Sequence, residues 1–175
     1  AVDPSLTWIR SRSKLARALE RPGDPLAELP QATEDKYLSR QVVLVGYGRV
    51  GRRIGQALAA NSVPYVVAEQ DRELVRRLRE QGIAAVSGDA SDPGTLIQAH
   101  IARASLLVVA TPDSFDVRQM IKTARTLNPG IETIVRTHNE EEAALLAQDQ
   151  AGKVFLGEHE LASSMARHAL ERLRR

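Results

Sequence analysis

Short apolar runs alternate along the chain with stretches in which apolar residues recur every three or four positions. The runs are typical of strands buried on both faces of a sheet, and the periodic stretches are typical of amphipathic helices. Six strands are predicted, at Val42–Val45, Tyr65–Ala68, Ala84–Val86, Leu106–Ala110, Glu132–Arg136 and Val154–Leu156. Six helices are predicted at residues 50–60, 72–81, 92–99, 113–127, 139–149 and 158–174. This alternation, with right-handed crossovers, predicts an α/β fold: a Rossmann-like doubly wound parallel sheet with helices on both faces.

The first 40 residues differ from the rest in pattern and charge. Residues 5–21 predict a short helix that carries Trp8, and the first 21 residues hold five basic and two acidic side chains. Residues 22–40, with three prolines and mixed charge, predict a linker. The basic charge suits either a solvated helix face or a segment beside an anionic membrane surface. The predicted division is therefore 1–40, a basic helix and linker, and 41–175, one sheet domain.

Composition excludes several classes of function. The 175 residues contain no cysteine, which excludes disulfides, thiolate nucleophiles and cysteine-ligated zinc. One Trp, three Tyr and two Phe are too few for base stacking on single-stranded nucleic acid. The basic residues concentrate near the start of the chain rather than over a binding face, so we expect no nucleic-acid partner.

A glycine-rich loop follows the first predicted strand directly. Its residues are Gly46, Tyr47, Gly48, Arg49, Val50 and Gly51, which form the pattern G-x-G-x-x-G between a buried strand and an amphipathic helix. The first glycine allows a tight turn, the second lets the backbone approach a pyrophosphate, and the third lets helix and strand pack closely. The loop therefore predicts a phosphate site at the start of a helix. Arg49 could pair with a phosphate or face solvent.

Acidic residues follow the second and third predicted strands. Glu69, with Gln70 beside it, ends the second strand, where a carboxylate can bind the ribose hydroxyls of an adenosine. Such a carboxylate repels a 2′-phosphate and disfavours NADP. Asp71 is a competitor for this role but is predicted to cap the next helix. Asp89 follows the third strand, where it could lie beside an adenine or cap a helix.

Residues that would carry catalysis are not grouped in the sequence. The four histidines, His100, His138, His159 and His168, are scattered, and neither a metal-ligand spacing nor a nucleophile pattern is present. The sheet uses nearly the whole chain after Gln41, so no substrate domain remains for a dehydrogenase. We therefore predict a binding module with no catalytic residues and no metal, rather than an enzyme.

The motifs resemble those of a known family. The stretches VVLVGYGRVGRRIGQAL, VVAEQDRELV, VSGDASDPGTLIQAHI, LLVVATPD, IVRTH and GEHELA are similar in order and spacing to the TrkA-N or RCK domain. More closely, they resemble the cytosolic C-terminal domain of Kef-type monovalent cation:proton antiporters of the YbaL-like branch. The resemblance implies a regulatory domain on the cytoplasmic face of the bacterial inner membrane, below a transmembrane antiporter domain of the same chain. It also implies that AMP or NAD(H) is bound without turnover and gates transport of potassium or another monovalent cation.

The family's binding residues can be carried over to matching positions. Gly46, Gly48 and Gly51 would hold phosphates, Glu69 the ribose, Asp89 and Ala90 the adenine, and Thr111 and Pro112 the remaining edge. Two other functions stay open: a fragment of an NAD-dependent oxidoreductase, and a dimerisation module with a vestigial site.

The last predicted helix carries an apolar stripe. Leu161, Met165, Ala169 and Leu173 recur every four residues. The resemblance implies that such regulatory domains pair, so we expect a homodimer through this helix. The alternative is that the stripe packs on its own sheet.

Overall fold

Six strands and six α-helices make up the part of the chain that the structure describes. The computed structural model describes residues 24–111 and 114–173, without the side chains of residues 114–116. The strands are β1 (Val42–Val45), β2 (Tyr65–Glu69), β3 (Ala85–Ser87), β4 (Leu106–Val109), β5 (Glu132–Thr137) and β6 (Lys153–Leu156). The helices are α1 (Arg49–Ala60), α2 (Arg72–Glu80), α3 (Pro93–Gln98), α4 (Ser114–Leu127), α5 (Glu140–Gln148) and α6 (Gly157–Leu173). Every predicted strand and every helix predicted after residue 41 is present, with ends that agree to within one residue.

All six strands form one parallel sheet in the order β3-β2-β1-β4-β5-β6. The chain winds from β1 outward to β3 on one side, then returns to β4 and winds to β6 on the other. The predicted doubly wound, Rossmann-like sheet is therefore confirmed. The strand order reverses at β1, and in such sheets the crevice at this switch point, outside the carboxyl ends of the strands, is where ligands bind.

Two apolar layers cover the sheet. On one face Val43 and Val45 of β1 pack with residues of α3, α4 and α5, among them Leu96, Ile121 and Leu146. On the other face the alternate strand residues pack with α1 and α2. Because β1 is buried on both faces, all four of its residues are apolar, and this is why a continuous run rather than an alternating one predicted the strand.

The segment before the sheet is packed against the domain, although its composition predicted a linker. The Arg79 guanidinium donates to the carbonyl oxygens of Pro25, Leu26 and Glu28 on this segment and to Ala85 O of β3. The Ser87 N–H donates to Leu26 O (2.6 Å) at the free edge of β3. Leu26, Leu29 and Tyr37 pack against the two apolar layers, and a 3₁₀ turn at Asp35–Tyr37 leads into β1. The helix predicted at residues 5–21 lies outside the described residues.

Helix α6 is exposed over its length, with every residue from Glu158 to Leu173 open to solvent. Leu161 is 62% exposed, Met165 65% and Leu173 82%. The alternative that this stripe packs on its own sheet is therefore wrong. None of the helices in the described ranges combines the length and apolar character that a membrane crossing requires.

Candidate nucleotide-binding site

A cavity of about 670 Å³ lies at the carboxyl ends of the central strands. It sits at the switch point of the sheet, where the loops after β1 and β4 diverge. Its lining residues come from five strand ends and from helices α1 and α4: Val45, Gly46, Gly48, Arg49, Val50, Arg53, Ala68, Glu69, Gln70, Gly88, Ala90, Ala110, Thr111, Met120, Arg136 and His138.

The three glycines of the loop meet three different surroundings. Gly46 has φ +84°, and a Cβ there would lie 3.2 Å from the Thr111 nitrogen. A Cβ on Gly51 would lie 2.0 Å from the Gly46 carbonyl oxygen, so this glycine allows α1 to pack against the loop. A Cβ on Gly48 would have no neighbour within 4 Å, and its φ of −69° suits any residue. Packing and backbone conformation therefore explain Gly46 and Gly51 but leave Gly48 unexplained.

The residues between these glycines take different positions. Arg49 is the first residue of α1, and Arg53 lies one turn later on the same helix. Both arginines are exposed and line the cavity, and Val50 of α1 lines it as well. The Tyr47 side chain does not line the cavity but is buried in the apolar layer beside Gly55. Its hydroxyl adjoins that of Tyr65, whose pKa is raised by burial first and by this neighbouring hydroxyl second. Tyr47 contributes to the site through its backbone N–H, which donates to the Glu69 carboxylate.

Glu69 joins the loop to the end of β2. Its carboxylate accepts from the Tyr47 N–H through Oε2 (2.7 Å) and from the Asp71 N–H through Oε1 (3.1 Å). Gln70 beside it lines the cavity. Asp71 caps α2 by accepting from the Glu73 and Leu74 N–H groups, as predicted, which leaves Glu69 as the carboxylate at the cavity. A carboxylate has about four acceptor positions, so two remain for ligand hydroxyls.

In the loop after β3, one of the two roles predicted for Asp89, that of a helix cap, is wrong. Asp89 does not cap a helix: it accepts from the N–H and hydroxyl of Ser91, and Asp92 caps α3 through the Gly94 N–H. Asp89 is exposed and does not line the cavity, whereas the buried Ala90 and Gly88 do. The cap is at Asp92 because Pro93 occupies the first helical position, which proline favours.

The loop after β4 supplies two described residues to the site, Ala110 and Thr111. Thr111 lines the cavity and packs against Gly46. Pro112 lies outside the described residues.

Eight lining residues were not among the predicted site residues: Val45, Arg53, Ala68, Gly88, Ala110, Met120, Arg136 and His138. Arg53 follows Arg49 by four positions, so helical spacing alone places both on one face of α1. Arg136 and His138 end β5 and follow it, at the same carboxyl edge as the other strands. With Arg49, Arg53 and Arg136 against Glu69, the formal charge of the lining is positive. That charge favours an anionic ligand.

Candidate metal ligands are not grouped in the described part of the chain. Among the described side chains of residues 24–111 and 117–173, no three His, Asp or Glu lie close enough to hold a metal ion. The charged groups that line the site are three arginines and one carboxylate, beside the polar side chains of Gln70, Thr111 and His138.

A glycine loop at the switch point of a doubly wound parallel sheet defines the Rossmann-like class of domain. Within that class the chain belongs to the TrkA-N domain family, whose model matches residues 42–157. The resemblance read from the motifs is thereby confirmed.

Two curated relatives are antiporters by name. The chain is 38% identical over 128 residues, 73% of its length, to the cation/proton antiporter YbaL of Escherichia coli (strain K12). It is 34% identical over 137 residues, 78% of its length, to the K⁺ efflux antiporter KefB of Alkalimonas amylolytica. These matches cover 23% and 21% of the two relatives, so the chain spans less than a quarter of either.

Solved structures share the fold. The TrkA-N domain of the inner membrane protein YbaL from Escherichia coli superposes with a TM-score of 0.71 at 37% identity, covering 74% of this chain and 96% of that one. The Kef C-terminal domain of Shewanella denitrificans in AMP-bound form gives 0.63 at 20% identity, covering 76% and 80%. The GsuK channel bound to NAD gives 0.62 at 23% identity, covering 85% and 26%.

Proposed function

We propose that the chain is the nucleotide-binding regulatory domain of a monovalent cation:proton antiporter, which binds AMP or NAD(H) and gates ion movement without turning the nucleotide over. One observation supports the proposed binding site most directly. Gly48 lines the cavity at the start of α1, has open space around its Cβ position and adopts an ordinary φ, so the fold itself does not require glycine there. Close approach of a phosphate to the backbone supplies the missing reason.

The surroundings of Gly48 suit the two ends of an adenosine phosphate. Helix α1 presents its first N–H groups and its positive dipole end to the cavity, which favours a phosphate. Glu69 is held by two backbone N–H groups and retains acceptor capacity for the ribose hydroxyls. Gly88 and Ala90 line the cavity beside the end of β2, where the adenine would follow the ribose. In this arrangement Glu69 faces the ribose and disfavours a 2′-phosphate.

The proposed partner is a transmembrane antiporter domain of the same protein. The named antiporters YbaL and KefB match over a region that is a small part of each, which is the relation expected of a regulatory domain attached to a transporter. The location would be the cytoplasmic face of the bacterial inner membrane. The basic residues among positions 1–21 fit the excess of positive charge found on the cytoplasmic side of membrane spans.

The second proposed partner is another copy of the chain. Helix α6 exposes Leu161, Met165 and Leu173, and the small residues Ala162 and Ala166 allow two helices to approach closely. Burying a large apolar side chain contributes roughly 1.5–3 kcal/mol, before the cost of association is subtracted. A regulatory gate also needs two bodies that move against each other.

Calorimetry with AMP, NAD⁺, NADH and NADPH tests the binding proposal. We expect the first three to bind and NADPH to bind weakly, because Glu69 repels the 2′-phosphate. Tight NADPH binding would contradict the role of Glu69. No binding of any of the four would favour the dimerisation module with a vestigial site. Reduction of NAD⁺ by a small alcohol or hydroxy acid would favour the oxidoreductase fragment instead.

Transport in proteoliposomes tests the regulatory proposal on the full-length protein. We expect AMP or NADH to change the rate of potassium/proton exchange. The same nucleotides should have no effect on a Gly48→Val variant that retains basal exchange. An equal response of both proteins would overturn regulation through this cavity.

A further inference from the structure

The cavity extends past the glycine loop to the end of β5. Arg136 lies there with its guanidinium held at two points: Nη1 lies 3.4 Å from Ala110 O, and Nη2 lies 2.6 Å from Nε2 of His138. Because a guanidinium only donates, Nε2 of His138 accepts, and the neutral ring then carries its proton on Nδ1. Arg136 is half-buried and lines the cavity together with His138.

The position of Arg136 separates it from the adenosine end of the site. Glu69 ends β2, the glycine loop follows β1, and Arg136 lies in β5, three strands away from β2 in the order β2-β1-β4-β5. Neighbouring strands are about 4.8 Å apart, so the ends of β2 and β5 are roughly 14 Å apart. A mononucleotide with its ribose at Glu69 and its phosphate at the loop occupies the β2–β1 half only.

We propose that Arg136 determines ligand specificity in this cavity by binding the anionic group beyond the first phosphate, so that nucleotides with two phosphates bind more tightly than AMP. This inference rests on the proposed nucleotide site. A guanidinium forms paired hydrogen bonds with phosphate oxygens, and its two protein acceptors leave other donors free. His138 acts as a positioning residue: it fixes the guanidinium through Nη2 and does not itself bind the phosphate.

The charge of the lining agrees with a second phosphate. Three arginines, Arg49, Arg53 and Arg136, line the cavity together with one carboxylate, Glu69. Arg49 and Arg53 lie on the first two turns of α1, next to the loop that would hold the first phosphate. Arg136 is the cation on the opposite side of the cavity among the described lining residues. An AMP molecule would leave this charge without an anionic partner, whereas ADP or NAD⁺ would supply one.

Calorimetry on the full chain with AMP, ADP and NAD⁺ tests the inference. Wild-type protein should bind ADP and NAD⁺ more tightly than AMP. Arg136→Ala should weaken ADP and NAD⁺ by about ten- to a hundredfold, the loss expected for charge-assisted hydrogen bonds, and AMP by less than about threefold. Arg136→Lys, which keeps the charge but not the paired donors, should fall between. Arg52→Ala is the matched control, because Arg52 is an exposed α1 residue outside the lining.

The role of His138 is tested by rescue. His138→Ala removes the acceptor and should weaken ADP binding, while His138→Gln supplies a side-chain oxygen and should restore most of it. Thermal melts of each variant identify any that misfold, and Arg136→Lys then carries the test.

The outcomes separate the two proposals. Equal weakening of AMP and ADP in a folded Arg136 variant, or unchanged ADP affinity, would overturn the specificity role and leave the nucleotide site standing. Wild-type protein that binds AMP as tightly as ADP and NAD⁺ would do the same. Wild-type protein that binds none of the three would overturn the proposed function itself.

Discussion

The glycine loop allows folding and binding to be separated by substitution. Gly48→Val places its Cβ in open space at a φ of −69°, so the fold should tolerate it. Replacing glycine lowers the conformational entropy of the unfolded chain, which stabilises the variant. Valine is a poorer N-cap residue than glycine, which destabilises it. We therefore expect a stability within about 1 kcal/mol of wild type. Gly51→Ala instead places its Cβ 2.0 Å from the Gly46 carbonyl oxygen, which forces the loop and α1 apart.

The two variants should therefore fail in different ways. Overpacking such as that caused by Gly51→Ala lowers the free energy of unfolding by about 1–3 kcal/mol. For a domain of this size that lowers the Tm by roughly 3–10 °C. Gly48→Val should keep its Tm within a few degrees but lose nucleotide binding. Loss of two charge-assisted hydrogen bonds between the backbone and a phosphate weakens binding by about 3 kcal/mol or more, at least a hundredfold.

Thermal melts and calorimetry with AMP measure both effects on the same samples. Gly130→Val is the matched control, because its Cβ also meets nothing within 4 Å but lies outside the cavity lining. It should keep both its Tm and its affinity. AMP affinity retained in Gly48→Val would refute the assignment of the loop as the phosphate site. An unchanged Tm in Gly51→Ala would refute the packing role of the third glycine.

Three further predictions concern parts of the structure outside the cavity. Asp71→Ala removes the cap of α2 and should cost about 1 kcal/mol in denaturant unfolding, with Asp71→Ser recovering most of it. The ion pair with Arg72 holds the pKa of Asp24 below its usual value, so its stabilising effect is present above pH 4 and is lost as the pH falls through the lowered pKa. The stability difference between wild type and Asp24→Asn should therefore vanish in strong acid, and a difference that grows there would contradict the pairing. Leu161→Asp combined with Met165→Asp should give a folded monomer by sedimentation, while wild type sediments as a dimer; a wild-type monomer at high micromolar concentration would refute pairing through α6.

Local sequence patterns determined the strands, the helices and the glycine loop. The β1 run of four apolar residues reports burial on both faces of a parallel sheet, whichever strands become its neighbours. The cap at Asp71 and the close packing at Gly51 are likewise short-range, because each depends on residues within five positions along the chain. Such features are predictable from sequence because the interacting residues lie in the same stretch of chain.

No local sequence pattern predicted the hydrogen bonds by which Arg79 holds the segment before the sheet. These hydrogen bonds to Pro25, Leu26 and Glu28 join positions more than 50 residues apart, and the acceptors are backbone carbonyls that every residue possesses. The proline-containing stretch of mixed charge therefore predicted a linker. The same limit applies to α6, because its apolar stripe is compatible with packing on its own sheet and only the fold shows that it is exposed.

Some residues of the cavity were predictable from the sequence, and others were found only from the tertiary structure. The sequence by itself determined the glycine loop, which follows β1, and Glu69, which ends β2, since both strands are recognisable from their own residues. Only the tertiary structure placed Arg136 and His138 across from the loop, because the strand order puts β5 beyond β4, two strands away from β1. Which side chains share a cavity depends on the order of strands in the sheet, and hydrophobic pattern encodes the strands but not their order.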